Sequence, residues 1–313
     1  MTHDPSRYGP RADTQTAAHS DFDSAWLSLR EGADHRARDR HTLVTEPLSA
    51  FLDTRPCATL AIADLGAGSG SNLRYLSERL AKPQRWHLLD RDAALLERAR
   101  QSPLDARVEA LNACRVDLAD LSTALSPLEG VHFDLISASA LLDLVSERWL
   151  AHLADECQAR GCAALLALSI NGDNALIEAS APTSSPATLD ETVQQLIARH
   201  QRRDKGFDGA LGIDAPGRAA ALFRARGFEV RCADAPWRLD SRHAGEATLM
   251  RALLKGWFEA ACEECEEDER RREALPHWYE QRLAAVSRGT LRLGVGHTDL
   301  LALPAGPDRR ARA

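Results

Sequence analysis

Hydrophobic residues along the chain alternate between short continuous runs and positions at helical spacing. The runs that predict strands lie at 59–65, 85–90, 108–111 or 114–116 (a weaker signal), 132–139, 162–170 and 228–234. The segments with helical periodicity lie at 72–80, 93–100, 141–157 and 215–226. Strands that alternate with helices in this way are typical of a parallel α/β sheet with helices on both faces.

Two segments are longer than a minimal sheet requires. Residues 171–214 and 235–291 contain helical patterns, and we expect them to form helical insertions that cover the sheet as a lid. Asp214 is expected to cap the helix that follows the first insertion. The apolar run at 292–304 predicts one edge or returning strand.

The expected organisation is therefore one domain at 57–303, preceded by a helical extension at 21–56. The polar residues 1–20 and the Pro-, Gly- and Arg-rich residues 304–313 bury too little apolar surface to order themselves, so both ends are predicted to be disordered tails.

Charge and composition narrow the class of partner. The 313 residues carry a net charge of −7, which disfavours nucleic acid because phosphate binding needs a basic face. No apolar run approaches the roughly 20 residues of a membrane span, and the polar N-terminus lacks the apolar core of a signal peptide. We expect a cytoplasmic protein with a small-molecule substrate, and a homodimer is possible.

The seven cysteines show no regular spacing, which indicates reduced thiols rather than a disulfide framework. Cys262 and Cys265 form a C-x-x-C, and a zinc half-site is conceivable there. No second Cys or His pair stands at a matching spacing, and the surrounding charges suit a solvated helix. We therefore expect no metal.

The strongest chemical signal is the glycine-rich stretch "ADLGAGSGSN", which follows the first predicted strand. Gly66, Gly68 and Gly70 allow a sharp turn and a close approach of backbone to a ligand, although tight strand–helix packing also selects glycine. The dinucleotide fingerprint G-x-G-x-x-G fails at Ser71. Asp64 would also oppose a pyrophosphate, whereas it suits a ligand with an ammonium and a sulfonium.

The stretch "IADLGAGSGSN" resembles the first motif of class I S-adenosylmethionine-dependent methyltransferases, a strand followed by an acidic residue and G-x-G-x-G. The segment "HLLDRDAALLERAR" resembles the second motif, in which Asp90 would accept hydrogen bonds from the ribose hydroxyls. "CRVDLADL" resembles the third, with Asp117 near the adenine amine. "FDLISASALLDLVS" resembles the fourth, which flanks the methyl group.

The resemblance implies a doubly wound, mostly parallel seven-stranded sheet and S-adenosylmethionine as cofactor. The cofactor-binding residues that it implies are Asp64, Gly66, Ala67, Gly68, Gly70, Asn72, Asp90, Arg91, Asp117, Leu118 and Ser137. Arg30 of the N-terminal extension is a further candidate, as a partner of the cofactor carboxylate, although a surface ion pair explains it equally well.

Residues on the acceptor side are less sharply defined. Asp143 follows the fourth strand and is a candidate catalytic group, with a helix N-terminal carboxylate as the plain alternative. His200 is the second candidate. It belongs to a cluster with Arg202, Arg203, Asp204 and Lys205 that suits gripping a carboxylate or phosphate, or else is a solvated helix end.

Five further positions are weaker candidates. Trp237, Arg238 and Trp257 are candidate walls of an acceptor pocket, with core packing as the commoner role of tryptophan. His297 and Asp299 lie on the last predicted strand, where a functional role is possible.

The predicted function is methyl transfer from S-adenosylmethionine to a small polar or anionic acceptor. The chain lacks both the Asn-Pro-Pro-Tyr sequence and the His pair that many relatives carry after the fourth strand, which leaves the base unassigned. The alternatives are an NAD(P)-dependent oxidoreductase on a Rossmann-like sheet and a non-catalytic cofactor-binding scaffold.

Overall fold

The computed structural model describes residues 15–119, 130–178, 187–203, 209–265 and 269–305. The strands are β1 (Leu60–Leu65), β2 (Gln84–Asp90), β3 (Val108–Arg115), β4 (Leu135–Ser139), β5 (Ala163–Ile170), β6 (Ala175–Glu178), β7 (Phe228–Asp234), β8 (Trp237–Asp240), β9 (Leu291–Val295) and β10 (His297–Pro304). The α-helices are α1 (Gln15–Arg38), α2 (Ser49–Asp53), α3 (Ser71–Ser77), α4 (Ala93–Gln101), α5 (Glu147–Arg160), α6 (Ala187–Gln201), α7 (Ala215–Ala225), α8 (Ala244–Glu264) and α9 (Glu269–Ser287).

Seven strands form the central sheet in the order β3-β2-β1-β4-β5-β10-β7. The pairs β1–β2, β1–β4, β2–β3 and β4–β5 are parallel, and β10 runs antiparallel to both of its neighbours. Chain order reverses at β1, so the loops after β1 and β4 face one crevice at the carboxyl edge, where ligands bind in open α/β sheets. The predicted doubly wound, mostly parallel seven-stranded sheet is confirmed.

Alternating residues of the strands fill a core on each face of this sheet. Ala63 and Leu65 of β1 belong to a buried cluster with side chains of α5 and α7. Leu60 and Ile62 point to the opposite face and join side chains of α2, α3 and α4. The sheet is therefore covered by helices on both sides, and this packing holds the loops at its carboxyl edge in place.

The two insertions, called the lid below, contain strands that the helical patterns did not predict. Strands β6, β9 and β8 make a separate three-stranded antiparallel sheet. A third buried cluster joins this sheet to α6, α8, α9 and the end of α1. The lid thus has a core of its own, to which the N-terminal helix contributes.

The last predicted strand is in fact two strands in different sheets. Gly296 separates β9 of the lid from β10 of the central sheet. A Cβ atom at Gly296 would collide with the side-chain oxygen of Asn171 and the carbonyl of Asp173, so only glycine fits where the chain changes sheets. β10 is also an interior strand rather than an edge.

Several helix boundaries differ from the predictions. Helix α1 begins at Gln15, inside the segment predicted to be a tail, and a π-helical turn at Val44–Leu48 leads into α2. The helix predicted from residue 141 begins only at Glu147, because Ser146 caps it by accepting a hydrogen bond from the Trp149 amide. Asp214 precedes α7 but makes no side-chain capping bond. Residues 1–14 and 306–313 lie outside the described residues.

Candidate cofactor site

The glycine turn (Gly66–Gly70) connects β1 to α3 at the carboxyl edge of the sheet. All three of its glycines have positive φ, at 67°, 51° and 83°. Added Cβ atoms would lie 3.3 Å from Leu141 at Gly66, 3.3 Å from Leu27 at Gly68 and 3.0 Å from Ala99 at Gly70. Gly70 therefore serves helix packing. Gly66 and Gly68 lack side chains where Leu141 and Leu27 of the N-terminal helix approach the turn. Ala67, which lies between them, is buried.

Asp64 is a fully buried carboxylate one residue before the end of β1. Its Oδ1 accepts a hydrogen bond of 2.6 Å from Asn72 Nδ2, and the same amide group lies 2.6 Å from Ser137 Oγ on β4. Asp64 Oδ2 is buried without a hydrogen-bond partner among the described residues. Burial raises the pKa of Asp64 to about 7, against the lowering effects of Asn72, Arg38 and Ser137. The free carboxylate oxygen is suited to a cationic donor.

Asp90 ends β2 and faces the glycine turn. Its Oδ2 accepts a hydrogen bond of 2.8 Å from the amide of Gly68, and its Oδ1 accepts one of 2.9 Å from the amide of Asp92. Each carboxylate oxygen has two lone pairs, so both keep capacity for another donor. The carboxylate is thereby fixed beside the turn, in a position that can receive the two hydroxyls of a ribose.

The other residues implied for the adenosine end lie at the same edge. Asp117 is exposed, and its Oδ1 accepts a hydrogen bond of 3.0 Å from the Ala119 amide. The Leu118 side chain is buried in the core while its carbonyl accepts 2.6 Å from Trp149 Nε1. Arg91 is exposed. The roles of these three residues remain predictions.

Arg30 makes an ion pair, which is the alternative that the sequence left open, and its role towards the cofactor stays a prediction. Its Nε and Nη2 lie 2.9 and 3.2 Å from the carboxylate of Asp34, and its guanidinium stacks 5.3 Å from the Trp237 ring centroid. Two turns further along α1, Arg38 is fully buried and donates a hydrogen bond of 2.8 Å to Asn72 Oδ1. The arginine that contacts the Asp64 network is therefore Arg38.

Asp299 balances the buried charge of Arg38. One of its oxygens lies 3.3 Å from Arg38 Nε and 3.2 Å from His41 Nε2, and the other accepts 2.7 Å from the Leu168 amide. Leu168 has a φ of 54°, at the bulge where β5 pairs with β10. Although burial alone would raise it, the pKa of Asp299 is held below its usual value by His41, Arg38 and the Leu168 amide.

The proposed catalytic residues lie apart in the chain and in their contacts. Asp143 is half-buried in a 3-10 turn at Leu142–Leu144, directly after β4. His200 lies at the end of α6, and its Nε2 is 3.1 Å from Glu263 on α8 in an exposed contact. Both assignments remain predictions, and the position of Asp143 after β4 favours it over His200.

The cations near His200 are likewise paired within the lid. Arg203 contacts Glu263 and Glu264, at 3.0 and 2.7 Å, and Arg202 contacts Asp214 at 3.2 Å. These pairs hold α6 against neighbouring parts of the lid. Asp204 and Lys205 lie outside the described residues.

An aromatic cluster covers the carboxyl end of β5. Trp237 is buried against His297, with ring centroids 5.0 Å apart, and Trp26 of α1 lies 6.4 Å from the Trp237 ring. Burial first, and then the charge of Arg30, lower the pKa of His297 to about 4, so its imidazole is neutral at pH 7. Trp257 is buried in the lid core and Arg238 is exposed.

Among the described residues, no group of three or more His, Cys, Asp or Glu could hold a metal ion. Within the same residues, no helix has the length and apolar character to cross a membrane.

The donor set fits S-adenosylmethionine. The buried, unpaired oxygen of Asp64 matches an ammonium, and the Asp90 carboxylate beside the turn matches a ribose. The positive φ values of Gly66 and Gly68 give a turn of bare backbone that a ligand can approach closely. A pyrophosphate would instead face two carboxylates of like charge.

Comparison with protein families agrees with this site. Residues 62–160 match the model of a family described as a methyltransferase domain, and the match runs from β1 to the end of α5. It includes the glycine turn and Asp90. This segment of the chain is therefore similar to a methyltransferase domain, in agreement with the predicted family and with its cofactor, S-adenosylmethionine. No curated protein sequence matches the chain.

Solved structures resemble the chain only distantly. A cyclopropane-fatty-acyl-phospholipid synthase-like protein from Lactobacillus casei is 15% identical over 91% of this chain and 99% of its own, with a TM-score of 0.47. The cyclopropane synthase MmaA2 from Mycobacterium tuberculosis is 11% identical over 82% of each chain, with a TM-score of 0.40. A phosphoethanolamine N-methyltransferase from Haemonchus contortus is 12% identical over 85% of this chain and 53% of its own, with a TM-score of 0.38. Likenesses this weak carry no argument about the acceptor.

Proposed function

We propose that this protein transfers the methyl group of S-adenosylmethionine to a small, polar acceptor. The observation that carries the proposal is the cover over the carboxyl ends of β4 and β5. Ala140, directly after β4, packs against the buried cluster of the lid, and His297 pairs with Ile170 at the end of β5. Helix α1 closes the same side through the contact of Trp26 with Trp237. A polymer needs an open groove, whereas a covered edge favours a small molecule.

The chemistry requires little of the protein beyond alignment. When bound, S-adenosylmethionine supplies a methyl group on a positively charged sulfur, which a nucleophile displaces in line. Asp64 would hold the ammonium of the cofactor and Asp90 its ribose. A base is needed only if the acceptor is protonated at working pH.

A polar acceptor is supported by the residues near that edge. Asp143 follows β4, and the buried Nδ1 of His297 lacks a hydrogen-bond partner among the described residues. A neutral imidazole can accept a hydrogen bond from a hydroxyl or amine. The arginines of the first insertion, which suggested an anionic acceptor, are engaged with carboxylates. The experiment below therefore distinguishes anionic from uncharged acceptors.

A reducing, cytoplasmic setting is part of the proposal. It is supported by the seven cysteines, all of which are free thiols. A homodimer stays a prediction.

The test supplies S-adenosylmethionine labelled in the methyl group to the protein together with a cell extract, and separates filtrate from macromolecules. We expect the label in the small-molecule filtrate. The anionic and uncharged products in that filtrate are counted separately. Asp90→Ala should lower the signal, because it weakens cofactor binding by about 1–3 kcal/mol. Arg36→Met is the control, because Arg36 is exposed and pairs with Glu246. Label in protein or nucleic acid would contradict the proposed acceptor class. Binding of S-adenosylhomocysteine without any labelled product would favour a scaffold, and binding of NAD instead would favour an oxidoreductase.

A further inference from the structure

Arg38 is one of the largest fully buried side chains of the protein. Its guanidinium lies 4.0 Å from the centroid of the Tyr75 ring, donates 2.8 Å to Asn72 Oδ1 and lies 3.3 Å from Asp299 Oδ2. These contacts come from α3 and β10, while Arg38 itself ends α1. The arginine is thus held firmly at the carboxyl edge of the sheet, beside the first residues after the glycine turn.

The contacts leave part of the arginine unpaired. An arginine has five N–H donors, and Nη2 of Arg38 has no hydrogen-bond partner among the described residues. Nε has only the long contact to Asp299. Leaving a buried donor of a charged group unpaired is costly, since the group has given up water and gained nothing in return.

A second unpaired atom lies on the other side of the same amide group. Asn72 accepts from Arg38 through Oδ1 and donates to Asp64 Oδ1 through Nδ2. Asp64 Oδ2 is buried and unpaired, as is Arg38 Nη2. One side-chain amide therefore separates an unsatisfied anionic acceptor from an unsatisfied cationic donor.

This arrangement has a specific chemical complement. A free α-amino acid group carries an ammonium and a carboxylate on one carbon atom, so it presents a cation and an anion at short separation. The unpaired Asp64 oxygen suits the ammonium, and the unpaired Arg38 nitrogen suits the carboxylate, to which arginine donates charge-assisted hydrogen bonds.

We propose that Arg38 binds the carboxylate of the cofactor's amino acid group, while Asp64 binds its ammonium and Asn72 keeps the two side chains apart. The inference rests on the proposed function, because it concerns the same cofactor site. It assigns the carboxylate to Arg38 rather than to Arg30, whose guanidinium is already paired with Asp34 and stacked on Trp237.

A purely structural role for Arg38 makes a different prediction. In that case the stacking on Tyr75 and the ion pair with Asp299 would fasten α1 to the domain, and loss of Arg38 would weaken every adenosine ligand alike. The two roles are separated by a pair of ligands that differ only in the carboxylate.

The experiment measures the dissociation constants of S-adenosylhomocysteine and of its decarboxylated analogue by calorimetry, on the full chain and its variants. Arg38→Met retains much of the buried stem and removes the donors, Arg38→Lys retains the charge, and Arg36→Met is the control on the same helix. The wild-type protein should bind S-adenosylhomocysteine at least about tenfold more tightly than the analogue.

In Arg38→Met, the affinity for S-adenosylhomocysteine should fall by about 10- to 100-fold, while the affinity for the decarboxylated analogue changes by less than about twofold. Arg38→Lys should lie between wild type and Arg38→Met, and Arg36→Met should match wild type for both ligands.

Should Arg38→Met fail to fold, the comparison of the two ligands in wild type and Arg38→Lys decides the matter. Equal affinities of the two ligands for wild type would overturn the assignment, as would equal weakening of both ligands in an Arg38 variant. Either result leaves the proposed function standing, provided that wild type binds S-adenosylhomocysteine. Failure of wild type to bind S-adenosylhomocysteine at all would contradict both.

Discussion

Replacement of Asp64 by asparagine tests two effects of this buried carboxylate. We expect the carboxylate to lower the stability of the free protein and to raise its affinity for the cofactor. The substitution keeps the size of the side chain and an oxygen that can accept the Asn72 hydrogen bond, but it removes the charge. Asp64 is fully buried, and burial raises its pKa to about 7. In an unfolded chain the same group has a pKa of about 3.9.

The sign of the stability effect follows from those two values. Between about pH 4 and pH 7 the unfolded chain has released this proton and the folded chain retains it, so the contribution of Asp64 to the free energy of unfolding falls as pH rises. At 1.36 kcal/mol for each pH unit, the loss by pH 8 is on the order of 4 kcal/mol as an upper bound. Asp64→Asn should therefore be more stable than wild type at pH 8, by up to about that amount. The two proteins should be similar at pH 4.

Cofactor affinity should change in the opposite direction. If an ammonium binds ionised Asp64, the wild-type protein must release a proton before binding, and its affinity for S-adenosylhomocysteine should rise about tenfold from pH 6 to pH 8. Asp64→Asn should bind more weakly, by about 10- to 100-fold at pH 8, because it lacks the charged partner.

The measurements are urea unfolding at pH 4 and pH 8, and calorimetric titration with S-adenosylhomocysteine at pH 6, 7 and 8. The ratio of the wild-type to the variant affinity should grow with pH, since any titration of the ligand itself is common to both proteins. An unchanged ratio across this range would refute the reasoning, and so would a variant that is both less stable at pH 8 and equally able to bind the ligand.

Three further substitutions test other parts of the account. Asp90→Asn should weaken S-adenosylhomocysteine by about 1–3 kcal/mol, measured by calorimetry, and unchanged affinity would remove Asp90 from the site. Asp299→Asn should lower the free energy of unfolding by about 3–5 kcal/mol in urea, because it leaves the buried charge of Arg38 without its counter-ion, and a change below about 1 kcal/mol would contradict this. His200→Ala should leave turnover and cofactor affinity within about twofold of wild type and lower stability by less than about 1 kcal/mol, since the contact of His200 with Glu263 is exposed. Loss of turnover would instead support His200 as a catalytic group.

The central features of the fold were predictable because they are encoded locally. A run of apolar residues, an acidic residue and bare glycines stand next to one another in the chain, and one helix plus one strand set the distance to Asp90. The resemblance to class I methyltransferases rests on these neighbouring residues, and the order of the central strands agrees with it.

The lid was harder to predict because its strands pair across long separations. Residues 175–178 pair with 291–294, and each of the strands involved has only four or five residues. Such short runs resemble loop or helix segments until the partner strand is known. The break between β9 and β10 likewise depends on the backbone that packs against Gly296, which no local pattern records.

Arg38 was missed for a related reason. Arg30, Asp34 and Arg38 recur every four residues along a charged helix, and that spacing is typical of exposed ion pairs. Only the folded chain shows that this face is covered, and that Asp299, more than 250 residues away, supplies the counter-ion.

The most direct test of the cofactor site is a crystal structure of the protein with S-adenosylhomocysteine. We expect the ribose hydroxyls on Asp90, the amino group within hydrogen-bond distance of Asp64 Oδ2, and the amino acid chain along the bare backbone at Gly66 and Gly68. A ligand bound elsewhere, or bound here with both carboxylates turned away from it, would contradict the account.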